Sequence, residues 1–166
     1  MKITFGGNPV NLIGQEVKVG DKAPEFVAVK EDLSEFNLKD CLGKVIVISA
    51  APSLDTSVCA FQAKRFNEEA SKLSADVQII NITVDLPFAQ KRFCEANNIG
   101  NTLTVSDYKD RDFGEKYGFM IDEFKLLARG IVVIDKEGII QHVEYVPEVT
   151  NEVNFDAALE KVKELI

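Results

Sequence analysis

The chain has 166 residues, with 19 lysines and arginines against 27 aspartates and glutamates, and a formal net charge of −8. That length suits one domain spanning residues 1–166, and a composition 46% hydrophobic and 28% charged excludes general disorder. The acidic balance argues against a nucleic-acid partner, and no apolar run approaches the roughly 18 residues needed to span a membrane.

The N-terminus carries no apolar signal-peptide core, so a cytoplasmic location is expected. Ile3 to Phe5 and Asn11 to Ile13 flank Gly6-Gly7-Asn8-Pro9 and predict a hairpin. Glu16 to Val19 and Phe26 to Val29 predict two more short strands. Lys44 to Ala50 is a continuous apolar run, as expected of a strand covered on both faces. Asp55 or Thr56 then caps a helix whose apolar positions Cys59, Ala63, Phe66, Ala70 and Leu73 recur with helical spacing. Val77 to Val84 is the next strand, and Pro87 suits the first turn of a helix running to about Ala96.

Thr102 to Val105 predicts a strand and Asp112 to Tyr117 a short helical turn. Phe119-Met120-Ile121 and Phe124 form an apolar cluster in an expected loop: exposed, it would be an interface or a pocket wall, and otherwise it is simply buried. Ala128 to Ile134 and Ile139 to Tyr145 pair around Lys136-Glu137-Gly138, and Asn154 caps a last helix with Phe155, Ala158, Leu159, Val162 and Leu165 inward. The order strand–helix–strand–helix–strand–strand–helix predicts an α/β, thioredoxin-like fold. Its central mixed β-sheet is flanked by helices on both faces, after an N-terminal β-hairpin extension.

Three cysteines, Cys41, Cys59 and Cys94, form no Cys-x-x-Cys pair, and His142 is the sole histidine, so neither a disulfide scaffold nor a metal site is expected. His142 is expected on a solvent-facing or edge position. Each thiol is either a small buried hydrophobe or a reactive group. The context of Cys59 favours reactivity. It follows the central strand, at the sheet edge where α/β folds place their sites, and with Thr56 as cap it falls in the first helical turn. Free backbone amides and the helix dipole favour a thiolate there.

That contribution is at most about 2 kcal/mol, and a free thiol is only about 3% ionised at neutral pH. A strongly ionised thiol therefore needs a cation. Arg129, inside the apolar stretch Leu126 to Val133, must point at a partner; either it serves Cys59 or it pairs with a carboxylate.

Pro52, Thr56 and Cys59 fill the pattern Pro-x-x-x-Thr-x-x-Cys, which resembles the active-site signature of the peroxiredoxins. The fuller string Pro-Ser-Leu-Asp-Thr-Ser-Val-Cys is similar to the atypical two-cysteine branch. So are Thr4 to Val10, Asp85 to Cys94 and Leu127-Ala128-Arg129, and the likeness spans nearly the whole chain. The resemblance implies a peroxidatic Cys59, oxidised to a sulfenic acid by a hydroperoxide, and a resolving Cys94 that forms an intramolecular disulfide with it. It further implies that Thr56 orients the thiolate and peroxide, Arg129 stabilises their charge, and Pro52 shields the sulfur. The resemblance implies no cofactor or metal, thioredoxin as the reductant, and a homodimer. Cys41 is expected to be structural. Two other readings stand beside this one: a general thiol–disulfide oxidoreductase, and a non-catalytic redox-sensing module.

Overall fold

The computed structural model describes residues 1–166. Its elements are β1 (Lys2–Phe5), β2 (Asn8–Ile13), β3 (Val27–Lys30), β4 (Glu35–Asn37), β5 (Val45–Ala50), α1 (Ser57–Ala70), β6 (Val77–Thr83), α2 (Pro87–Ala96), β7 (Leu103–Ser106), α3 (Asp112–Tyr117), β8 (Met120–Ile121), β9 (Gly130–Ile134), β10 (Ile140–Tyr145) and α4 (Phe155–Leu165). The apolar run Val45–Ala50 becomes the middle of a mixed seven-stranded sheet of order β10-β9-β5-β6-β7-β3-β4. Strands β5, β6 and β7 are parallel, and β9 runs antiparallel to β5.

Successive side chains of a strand point to opposite faces. Ile46, Ile48 and Ala50 accordingly join one core, together with Ile3, Val10 and Leu12 of the hairpin and Phe113 and Tyr117 of α3. Val45 and Val47 join the other, with Phe66 of α1 and Phe155, Ala158, Leu159 and Val162 of α4. Helix α2 packs beside α1, where Cys94 meets Ala63 in a smaller cluster with Leu54 and Ile99. The thioredoxin-like architecture expected from the sequence is therefore present, with helices on both faces.

Because β9 is antiparallel to β5, with Gly130 opposite Ala50, the residue preceding β9 arrives at the edge where β5 ends and α1 begins. That residue is Arg129. Gly130 must lack a side chain: a Cβ there would run into the carbonyl oxygen of Glu144 on β10.

Several local expectations are corrected. The hairpin turn is only Gly6-Gly7, both at positive φ (59° and 83°) as a two-residue turn requires, so β2 starts at Asn8 rather than Asn11. Glu16–Val19 is not a strand, because side chains take its amides: Val17 donates to the Tyr145 hydroxyl and Lys18 to Asp21. Strand β4 and the two-residue β8 have no counterpart in the sequence reading. Met120 and Ile121 pair with Ile13 and Leu12 of β2, giving a separate three-stranded sheet β1-β2-β8. Phe119, Met120 and Ile121 are thus buried, whereas Phe124 is 54% exposed and sets its ring edge against Phe5.

Strand β9 begins at Gly130 rather than Ala128. Buried Ala128 instead donates its amide to Phe119. On α2 the buried side chains are Pro87, Gln90 and Cys94. The sheet beneath it is polar, and Gln90 donates to the Thr83 hydroxyl and the Val105 carbonyl. His142 lies half-buried on the edge strand β10, and burial lowers its pKa.

Candidate active site

The chain leaves β5 at Ala50, turns through residues 51–56, and enters α1. Thr56 is the cap. Its extended backbone (φ −96°, ψ 149°) ends the turn, and its hydroxyl oxygen accepts the Cys59 amide at 3.3 Å while donating to the Ser53 carbonyl at 3.2 Å. A hydroxyl oxygen has two lone pairs, so one remains for a further donor.

Cys59, only 1% exposed, points from the first turn of α1 toward Arg129, which is 2% exposed. The guanidinium is held on three sides. Nε donates to the Val149 carbonyl at 2.7 Å, Nη1 to Gln62 Oε1 at 2.9 Å, and Nη2 lies 3.3 Å from Cys59 Sγ. Gln62 is fixed in turn, donating to Ser49 Oγ at 2.7 Å and to the Ala50 carbonyl at 3.1 Å.

None of the seven ion pairs of the chain involves Arg129. A buried cation without a carboxylate needs another counter-charge, and the one ionisable group touching it is the Cys59 sulfur. Nothing else that could carry a negative charge lies within reach of this guanidinium, and the sulfur faces it at 3.3 Å.

A cavity of about 250 Å³ reaches Arg129 and the residues just before Cys59, lined by Phe5, Pro52, Thr56, Val58, Arg129 and Val149 among others; Cys59 itself lies behind this lining. Pro52 is buried in its wall and presents no N–H toward it. The outer wall is tied down by Glu148. Its carboxylate accepts from Thr4 Oγ1 (2.9 Å), the amides of Gly6 (3.1 Å) and Gly7 (2.7 Å), and the amide and hydroxyl of Thr150 (2.8 and 2.7 Å). These bonds, those from Thr150 foremost, hold its pKa down to about 2. Glu148 thus joins the hairpin carrying Phe5 to the segment whose Val149 carbonyl positions Arg129.

Cys94 has separate surroundings. Its sulfur sits 3.4 Å from Thr104 Oγ1, at the margin of another cleft of about 360 Å³ that includes Glu31 and Glu95. Burial pushes its pKa up to about 11; the Thr104 contact opposes this, and the nearby carboxylates add to it. Cys41 is half-buried against the larger core, where burial also raises its pKa. All three cysteines are free thiols.

The structure thus gathers Thr56, Cys59 and Arg129, sets Pro52 at the cavity, and gives Cys94 its own environment. Gln62, Glu148 and the Val149 carbonyl were not singled out from the sequence. For Gln62 a signal existed: it stands three residues after Cys59, on the same face of one helix. For the other two the chain holds no local cue. No group of three or more His, Cys, Asp or Glu side chains is arranged to hold a metal ion, and no helix is long and apolar enough to cross a membrane.

A thiol held against an arginine at a helix start, on this sheet, defines a cysteine-based redox enzyme on the thioredoxin scaffold. Residues 18–159 match the Redoxin family model. The thiol peroxidase of Bacillus subtilis (strain 168) is 50% identical over 165 residues, covering 99% of this chain and 98% of that protein. The thiol peroxidase of Listeria innocua serovar 6a is 50% identical over 162 residues, covering 98% of each. The crystal structure of a peroxiredoxin-like protein from Aquifex aeolicus superposes with a TM-score of 0.93 at 47% identity, over 99% of this chain and 97% of that one. The chain belongs to the Redoxin family and, within it, to the thiol peroxidases. Its activity is thiol-dependent reduction of a peroxide.

Proposed function

We propose that Cys59 is the peroxidatic nucleophile and that Cys94 resolves its oxidised form. The Cys59 thiolate attacks the terminal oxygen of a hydroperoxide; the O–O bond breaks, the sulfur loses two electrons and becomes a sulfenic acid, and the leaving alkoxide takes a proton to give the alcohol, or water from hydrogen peroxide. The Arg129–Cys59 contact carries this reading, since the same guanidinium that balances the thiolate lies where charge moves onto the leaving oxygen. The free lone pair of Thr56 accepts the peroxide O–H, and Pro52 keeps the wall of the opening free of a competing donor.

Cys94 then attacks the sulfenic sulfur, giving a Cys59–Cys94 disulfide and water, and a thioredoxin-type dithiol returns both to thiols. No prosthetic group takes part. Each thiol is enclosed in its own packing, so the bridge requires the first turn of α1 and the end of α2 near Cys94 to unwind. In this reading residues 1–166 act as one domain, a homodimer in the cytoplasm, on hydrogen peroxide and organic hydroperoxides.

Titrating the reduced protein with cumene hydroperoxide and mapping the product by mass spectrometry tests the assignment. One equivalent should yield a Cys59–Cys94 bridge, with Cys41 still alkylatable. Cys59→Ser should abolish turnover with thioredoxin, its reductase and NADPH; Cys94→Ser should keep one round of reduction and lose recycling. Oxidation without sustained turnover would instead favour a redox-sensing module, and turnover surviving Cys59→Ser would refute the assignment. The oligomer is tested separately by sedimentation, where a monomer at micromolar concentration contradicts the dimer.

A further inference from the structure

Helices α1 and α2 begin in two separate loops, and one carboxylate holds those loops together. Asp85, half-buried just before α2, accepts from Ser53 Oγ at 2.7 Å through one oxygen, and from the Leu54 amide and Thr83 Oγ1, each at 2.8 Å, through the other. Its own amide donates to Thr83 Oγ1 at 3.1 Å, and its carbonyl accepts from Ser106 Oγ. Ser53 in turn supplies the carbonyl that takes the Thr56 hydroxyl, the cap of the Cys59 turn. A continuous set of hydrogen bonds therefore runs from the first turn of α1, through Ser53 and Asp85, to the start of the helix bearing Cys94.

We propose that Asp85 is a positioning residue that latches these two helix starts together and so governs how the Cys59 sulfenic acid is partitioned. This rests on the assignment of Cys59 and Cys94 above. With the latch closed, the α1 turn stays wound, the sulfenic sulfur remains against Arg129, and a second hydroperoxide can oxidise it to the sulfinic acid, releasing another alcohol. With the latch open, the first turn of α1 is released from the loop that leads into α2, and once the end of α2 unwinds as well Cys94 reaches the sulfenic sulfur to form the disulfide and water. Hydrogen bonds to a carboxylate are stronger than neutral ones, which makes this side chain a strong control point between the two elements.

Asp85→Asn keeps the shape of the side chain but weakens acceptance from three donors at once. The expected result is bridge formation about five-fold faster after a single hydroperoxide pulse, matching the loss of one net hydrogen bond, and a correspondingly smaller sulfinic fraction at high peroxide. The rate of the first oxidation should change less than about two-fold, a split that a general loosening of the fold does not produce. Ser53→Ala cuts the same link from the α1 side without touching Asp85, and serves if the first variant folds poorly; it should shift the partition in the same direction. The double variant should add little to either single one, because both open one latch.

Unchanged partition in Ser53→Ala and Asp85→Asn, beside a wild-type protein that does form the bridge, overturns the latch alone. A wild-type protein that forms no Cys59–Cys94 bridge overturns the cysteine assignment, and the latch with it.

Discussion

The face of the sheet that carries α1, α2 and α4 has two unlike halves. Toward the amino ends of the parallel strands it is hydrocarbon: Val45, Val47, Ile79 and, on the neighbouring β9, Val133 pack under Phe66 and α4. Toward the carboxyl ends the same strands present Ser49, Asn81, Thr83, Thr104 and Ser106, covered by Gln62 and Gln90 and closed by Arg129, all buried. The first half is non-directional packing, which stabilises in proportion to the area it removes from water. The second replaces that packing with directed bonds. Gln62 spans from β5 to Arg129, and Asn81 donates to Thr102 Oγ1 while its own Oδ1 has no partner. Polar layers of this kind contribute less to stability per residue and more to geometry. One half holds the sheet and its helices together; the other holds Arg129 against Cys59 and fixes the loops from which α1 and α2 begin.

Substitutions in the two halves should therefore separate stability from rate. The largest stability loss is expected from Phe66→Ala, about 3–5 kcal/mol by chemical denaturation, with the peroxide rate constant of the remaining folded protein within about two-fold of wild type. Gln62→Ala should show the opposite balance: Arg129 loses one of three anchors and its aim at the sulfur, slowing Cys59 oxidation about ten-fold, while stability falls by about 1–3 kcal/mol. Equal rate losses in both variants would mean that the two halves are not functionally distinct.

A smaller effect concerns the hairpin clasp. Glu148 has its pKa lowered from 4.5 to about 2 in the fold. Its contribution is fully present above the ordinary value and is lost as pH falls from about 4.5 toward 2. Glu148→Gln should flatten the pH dependence of stability in that window and leave neutral-pH stability only slightly reduced; an unchanged acid profile would remove the clasp.

Much of this was legible in the chain, for reasons that are local. Thr56 and Cys59 are three residues apart on one helical turn, so cap and thiol could be placed together from sequence. Arg129 was visible as a charge inside an apolar stretch. Glu148 and Asp85 were not, because what makes them important lies far along the chain: Glu148 meets Gly6 and Gly7, and Asp85 meets Ser53 and Leu54. Buried Gln62 and Gln90 break the apolar stripes by which inward faces are read, so the inward face of α2 does not show in the sequence. Strand β8 is two residues long, too short for an alternation to register, and forms because β2 offers an edge.

The most direct test is the stopped-flow rate constant for the first oxidation of the reduced protein by a hydroperoxide, comparing wild type, Arg129→Gln and Cys94→Ser. If the guanidinium sustains the Cys59 thiolate and the charge on the departing oxygen, Arg129→Gln slows the reaction by about a hundred-fold or more, while Cys94→Ser leaves it within about three-fold. A rate in Arg129→Gln equal to that of the wild type would contradict the account.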